Sequence, residues 1–178
     1  HEDKEYNAMR EDVLDEELAR RLAKLNDDLL KQLLADAEAI KEELKEEINE
    51  GLIDVDVKDK RIILRIQEKG SFPSGSATLI KPFRAITDKI SKVFAEFEGK
   101  IVVSGHTDNI PIKTSRFRSN WELSASRAVS VIHALRVSKQ LGDKRFEIEA
   151  FADTVPVDSN DSYKGRARNR RVEIMLDY

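Results

Sequence analysis

Residues 105–127 read GHTDNIPIKTSRFRSNWELSASR, and this stretch decides both the fold and the site. It begins where a short apolar run, Ile101-Val102-Val103, gives out, and it ends inside an amphipathic segment. Within it, Ser119-Asn120-Trp121-Glu122 is a capping box. A Ser at the cap accepts from a backbone N–H three residues on, and the Glu there reaches back. A helix therefore starts at this point and runs to about Lys139. The apolar run upstream reads as a buried strand over Lys100–Ser104, followed by a loop over 106–118 that contains Pro111. Strand, loop and helix together place an acid, Asp108, on the loop and a base, Arg127, on the helix.

Strands and helices alternate outward from that unit. Phe146, Ile148 and Ala150 alternate with Glu147 and Glu149, and Val172, Ile174, Leu176 and Tyr178 recur at period two. A polar loop from Asp153 to Ser162 and a short helix lie between these two strands. On the N-terminal side, Pro82 suits the first turn of a helix with an apolar face of Phe83, Ile86, Ile90, Val93, Phe94 and Phe97, stopped by Gly99. Before it, residues 70–76 form a loop. Ile53, Val55 and Val57, then Ile62, Leu64 and Ile66, make a hairpin around Lys58-Asp59-Lys60. The expected fold over residues 51–178 is one α/β domain, an α+β two-layer sandwich with a mixed sheet and both long helices on one face.

Residues 1–50 are of another kind. They carry 8 Lys and Arg against 17 Asp and Glu, a net of −9, whereas the remainder carries 23 against 17, a net of +6. From Met9 to Glu50 there is neither Gly nor Pro. Apolar residues recur at Leu14, Leu18, Leu22, Leu25, Leu29, Leu33, Ala37, Ile40, Leu44 and Ile48, one face of a long helix that Gly51 ends. Their mean spacing, about 3.8 residues, exceeds the 3.5 of a heptad seam. The stripe fits a spacer helix or a stalk that dimerises on its twin, and its acidity argues against a membrane-surface helix.

The composition excludes several chemistries. With no cysteine there is no disulfide, no thiolate nucleophile and no Cys-ligated metal. His106, His1 and His133 show no metal spacing, and no HExxH occurs. Ser124, Ser126 and His133 lack a nucleophile elbow, so no catalytic residue is assigned and no enzyme is expected. The cluster Arg166, Arg168, Arg170 and Arg171 is not interleaved with aromatics, which argues against nucleic acid. It is expected to tie the last strand to nearby acids. No apolar run approaches the roughly 18 residues of a membrane helix, and no signal peptide opens the chain.

Asn120, Leu123 and Arg127 stand at i, i+3 and i+7, on one helix face beginning at an N-terminus that favours anions. Arg127 offers a fork for a carboxylate, and Asp108 can take an ammonium. Together they suit a zwitterion, either an amino acid head group or the second stereocentre of a diamino-dicarboxylic acid. The same residues also fit a plainer reading, in which Asp108 closes an Asx-turn with Asn109 and Arg127 forms a surface salt bridge.

Three ordered blocks carry a family resemblance: Gly105-His106-Thr107-Asp108-Asn109, Asn120-Trp121-Glu122-Leu123-Ser124-Ala125-Ser126-Arg127-Ala128, and Asn169-Arg170-Arg171-Val172-Glu173-Ile174. They resemble the OmpA-like peptidoglycan-binding domain. Phe72-Pro73-Ser74-Gly75-Ser76-Ala77 and the lengthened loop up to Trp121 look like its MotB/PomB branch, the B subunits of the flagellar motor stator. The resemblance implies a β-α-β-α-β core and non-catalytic, non-covalent anchoring to the diaminopimelate of peptidoglycan, without a cofactor. It places the ligand contacts on Asp108 and Arg127, with Thr107, Asn120 and Leu123 in the same pocket. It further implies a periplasmic domain of a homodimeric inner-membrane protein, whose membrane helix would precede this chain. Its partners would be a MotA/PomA-type membrane subunit and basal-body ring proteins, with residues 1–50 as the linker that sets reach and activation. The alternative is an OmpA-like tether domain of an outer-membrane or wall-associated structural protein. Phe151-Ala152-Asp153 departs from the family, which favours glycines there.

Overall fold

The computed structural model describes residues 2–178. His1 lies outside the described residues. The chain begins with a long helix, α1 (Glu2–Glu43), followed by α2 (Lys45–Asn49), β1 (Ile53–Lys58) and β2 (Arg61–Gln67). After these come α3 (Lys81–Phe94), β3 (Lys100–His106), α4 (Asn120–Arg136), β4 (Phe146–Ala150), α5 (Tyr163–Asn169) and β5 (Arg171–Asp177). The long N-terminal helix is thus two helices. Leu44 leaves helical geometry (φ −108°, ψ 20°), although the Leu44 and Ile48 N–H groups still donate to Ile40 and Leu44.

Local chemistry fixes the element ends. Gly51 takes φ +72°, its N–H donates to the Ile48 carbonyl and that of Leu52 to Glu47, the paired bonds of a Schellman ending. The β1–β2 hairpin turns on Asp59 and Lys60, both with positive φ as a two-residue type I′ turn requires. The Ser119 side chain accepts from the Glu122 N–H. Glu122 in turn accepts from the Arg118 N–H at 2.8 Å, one residue further back than a standard capping box.

The five strands lie in the order β1-β2-β5-β3-β4, antiparallel except for the β3–β4 pair, so the sheet is mixed as expected. The last strand in sequence therefore occupies the centre of the sheet. Val55, Leu64, Ile174 and Val103 face one another across four strands and form one apolar row. That face is covered by α3, through Phe83, Ile90 and Phe94, and by α4, through Ala128, Val131 and Leu135. The same core contains Leu33, Ala37, Ile40 and Leu44, all buried. The end of the N-terminal stripe is therefore packed on the sheet beside β1 and β2. Leu14, Leu18, Leu22 and Leu25, the same stripe's earlier residues, are each more than half exposed.

The other sheet face carries a small apolar cluster, Ile63, Val102 and Met175, flanked by charges. Arg65 contacts Asp54 at 3.3 Å, Asp56 at 3.4 Å and Glu173 at 3.5 Å, and Arg171 meets Glu173 at 2.7 Å.

Candidate functional site

The sheet order explains how distant residues meet. β5 runs antiparallel to both β2 and β3, so its start lies beside the ends of those two strands, with Gln67 and His106 both opposite Arg171. Just beyond these pairings, Glu68 and Arg170 by one residue and Asp108 by two, the three converge at one edge of the sheet. Arg127 joins them from α4. Gly105 permits this, because a Cβ at that position would lie 1.9 Å from the Ser124 carbonyl oxygen. Only a glycine lets the helix backbone lie this close to β3.

The four charges form an alternating chain. Arg127 Nη1 donates to Glu68 Oε2 at 2.6 Å, and Arg170 Nε donates to Glu68 Oε1 at 3.0 Å. Arg170 Nη1 then donates to Asp108 Oδ2 at 2.8 Å. Arg127 is 1% exposed, its remaining reach spent on the carbonyls of Ser76 (2.8 Å) and Pro73 (3.2 Å), with its guanidinium over the Phe72 ring at 5.0 Å. It thus pins the Phe72–Ala77 segment against α4. Burial pushes the Arg127 guanidinium down from its ordinary value, against the pull of Glu68. Burial also lowers Arg170, but the hydrogen bond it donates to Asp108 and the charge of Glu68 outweigh it, and the net shift is upward.

The remaining expected residues complete the pocket. Asp108 Oδ1 accepts from the Ile110 N–H at 3.0 Å, so the Asx-turn is present while Oδ2 holds Arg170. Arg127 is not on the surface, contrary to the plainer reading of its spacing. Asn120 Nδ2 donates to the Ile110 carbonyl at 3.0 Å and fixes the loop after Asp108. Thr107 donates from its hydroxyl to the Asp108 carbonyl at 2.8 Å, and its N–H donates to the Ala152 carbonyl at 2.8 Å. Ala152 sits at φ +50°, the left-handed conformation that explains why glycine suits this position. Thr107, Asp108, Asn120, Leu123 and Arg127 all line one cavity of about 460 Å³, together with Glu68, Ile112, Tyr163 and Arg170.

Sequence spacing missed Glu68, and it assigned Arg170 only to a cluster tying β5 to acids. That tie is made by Arg170 itself, through Glu68 and Asp108, whereas Arg168 meets Asp158 of the preceding loop at 2.9 Å and Arg171 meets Glu173 within β5. Trp121 is half exposed on α4, while Phe117 is buried. A larger concavity of about 820 Å³ lies on the opposite face of the sheet, over Arg65, Arg171 and Glu173. There Arg65 pairs with Asp54, Asp56 and Glu173, and Arg171 with Glu173, and none of the five expected residues lines it.

His106 bounds that opposite face, 2% exposed, stacked on Phe151 and 3.0 Å through Nε2 from Ser104 Oγ. Burial and the Arg171 charge, opposed by Glu173, hold its imidazole down at about 4.

Residues 71–170 match the OmpA family. The chain belongs to that family. Among its relatives, motility protein B of Bacillus subtilis is 35% identical over 128 residues, 71% of this chain and 49% of the relative. The chain spans about half the length of the curated relatives it matches. Two solved structures superpose well. One is the cell wall anchor of the T6SS from Pseudomonas aeruginosa (36% identity, TM-score 0.71, 76% of this chain and 94% of that one). The other is a MotB-like protein from Desulfovibrio vulgaris (26% identity, TM-score 0.78, 86% and 95%). The mixed sheet with its helical layer agrees with these folds. Among the described residues no helix is long and apolar enough to cross a membrane.

Proposed function

We propose that this OmpA-family domain anchors a MotB-type flagellar stator to peptidoglycan, without catalysis, by recognising the zwitterionic centre of diaminopimelate. The observation that carries this reading is the 460 Å³ cavity, in which two arginines and two carboxylates alternate beside Thr107, Asn120 and Leu123. Such a site matches both charges of a zwitterion and gains little from a simple anion or cation. Asp108 receives the ammonium, Arg127 the carboxylate, and the other three shape the pocket. In this reading the domain is periplasmic and dimeric, its membrane helix precedes the chain, and a MotA/PomA-type subunit and basal-body ring proteins are its partners. Residues 1–50 would set its reach and activation.

Sedimentation with purified diaminopimelate-type peptidoglycan tests the site. The unmodified chain pellets with the wall, whereas Asp108→Asn and Arg127→Ala stay in the supernatant. Pelleting of Asp108→Asn to the same extent as the parent chain would place wall binding elsewhere. The likeness to a T6SS wall anchor supports a second reading, a structural tether outside the flagellum. Exchanging this domain into motility protein B separates the two: restored swarming supports the stator, and wall binding without motility supports the tether.

A further inference from the structure

We propose that Glu68 closes the site on itself. Its carboxylate occupies the position that the ligand's carboxylate takes, and wall binding displaces it. This rests on the zwitterion reading above and adds an internal competitor to it.

Burial limits access to Arg127. Its Nε and Nη2 face the Ser76 and Pro73 carbonyls, and its Nη1 faces Glu68. Three of its five N–H groups are thus engaged, the residue is 1% exposed, and Glu68 Oε2 holds its contact at the cavity, where an arriving carboxylate would pair. Glu68 Oε1 holds the second arginine as well, so one carboxylate spans both cations. A second carboxylate brought alongside it would meet like charge at close range, which disfavours keeping both ionised. Glu68 must therefore leave before the ligand pairs.

Only its side chain is free to do so. The Glu68 N–H donates to the Arg170 carbonyl at 3.0 Å, and its own carbonyl accepts from Ser71 and Phe72, each at 3.0 Å. The backbone is held from both sides, while the side chain keeps 13% of its surface exposed at the cavity and can swing out into water. The exchange keeps the number of carboxylate–arginine pairs constant. Affinity then measures the difference between the ligand's carboxylate and Glu68, so neutralising Glu68 should raise it.

The test is calorimetric titration of meso-diaminopimelate into the parent chain and Glu68→Gln, with cadaverine as a diamine of similar length that has no carboxylate. The expected result is binding on the order of tenfold tighter in Glu68→Gln for meso-diaminopimelate, with no such gain for cadaverine, which brings no carboxylate to Arg127. Equal or weaker binding in a folded Glu68→Gln protein overturns the proposal and makes Glu68 a positioning residue. If Asp108→Asn abolishes binding while Glu68→Gln does not strengthen it, the zwitterion reading stands and this proposal falls. If meso-diaminopimelate binds none of the proteins, both fall. Should Glu68→Gln fail to fold, the 13C resonance of the Glu68 carboxylate in the parent chain decides. It moves toward that of a solvent-exposed glutamate at saturating meso-diaminopimelate if displaced, and stays put if the proposal is wrong.

Discussion

Arg127 serves the pocket and the fold at once, and the two roles have different consequences on mutation. Its guanidinium pairs with Glu68 and fastens two carbonyls of the Phe72–Ala77 segment. Arg127→Ala leaves Glu68 with one cation fewer and the segment unfastened, at a cost of about 3–5 kcal/mol, visible in urea melts. Asp108→Asn keeps an oxygen for the Ile110 N–H but turns its amide NH2 toward Arg170, losing the charge and that hydrogen bond together, so it costs about 1–3 kcal/mol. The asparagine variant is therefore the cleaner probe of ligand binding. His106 governs acid sensitivity. Its folded value of about 4 lies below that of a free imidazole, so the unfolded chain takes up the proton first as pH falls. The resulting stability is fully present above about pH 6.5 and is lost progressively down to about pH 4, on the order of 3 kcal/mol in all. Glu173 is raised by burial but lowered further by Arg171, so its contribution is likewise lost on acidification. Urea melts at pH 5 and pH 7 should differ in the parent chain and converge in His106→Gln.

At the scale of elements, the local signals in the sequence were enough wherever neighbours in the chain decide the outcome. Gly51, Pro82 and the Ser119–Glu122 box mark helix ends through contacts within a few residues, and the period-two runs mark strands. The pairings that build the cavity are not of that kind. Glu68 meets Arg127 and Arg170, and Arg170 meets Asp108, only because β5 inserts between β2 and β3, and no periodicity encodes that insertion. Residues 14–48 show the same limit: the apolar stripe was legible, but not which part of it would find a partner. Ile40 and Leu44 are in the core whereas Leu18 and Leu22 are more than half exposed. Ile40→Ala or Leu44→Ala should therefore cost about 2–5 kcal/mol. Leu18→Ala and Leu22→Ala should stay within about 0.5 kcal/mol in a monomeric sample. Equal costs for the two sets would mean that the distal stripe is also buried in solution, against a second copy.

The whole molecule is one core with a projecting helix. Its centre of packing crosses the compositional divide at residue 50, since Leu33 through Leu44 share a cluster with Ile53, Leu64 and Phe83. Deleting residues 2–25, exposed from Asp3 onward and free of contacts to the sheet's hairpin such as that of Asn26, should shift the melting temperature little. Deleting residues 2–50 uncovers the sheet beside β1 and β2 and should lower it by about 10 °C or more, by thermal melts of both truncations. Lys89 to Glu47 at 2.9 Å and Lys60 to Asn26 at 3.2 Å fasten the docked portion. The part before Leu29 is braced mainly by pairs along its own surface, such as Arg21 with Glu17 at 2.7 Å. An isolated helix of that kind is marginal in water. It spans about 40 Å when helical and about 90 Å when drawn out. Under tension the molecule thus behaves as two springs in series, one soft and one stiff. The soft one takes up roughly 50 Å of slack before any load reaches Leu33, so the grip on a fixed support is insulated from small movements at the far end.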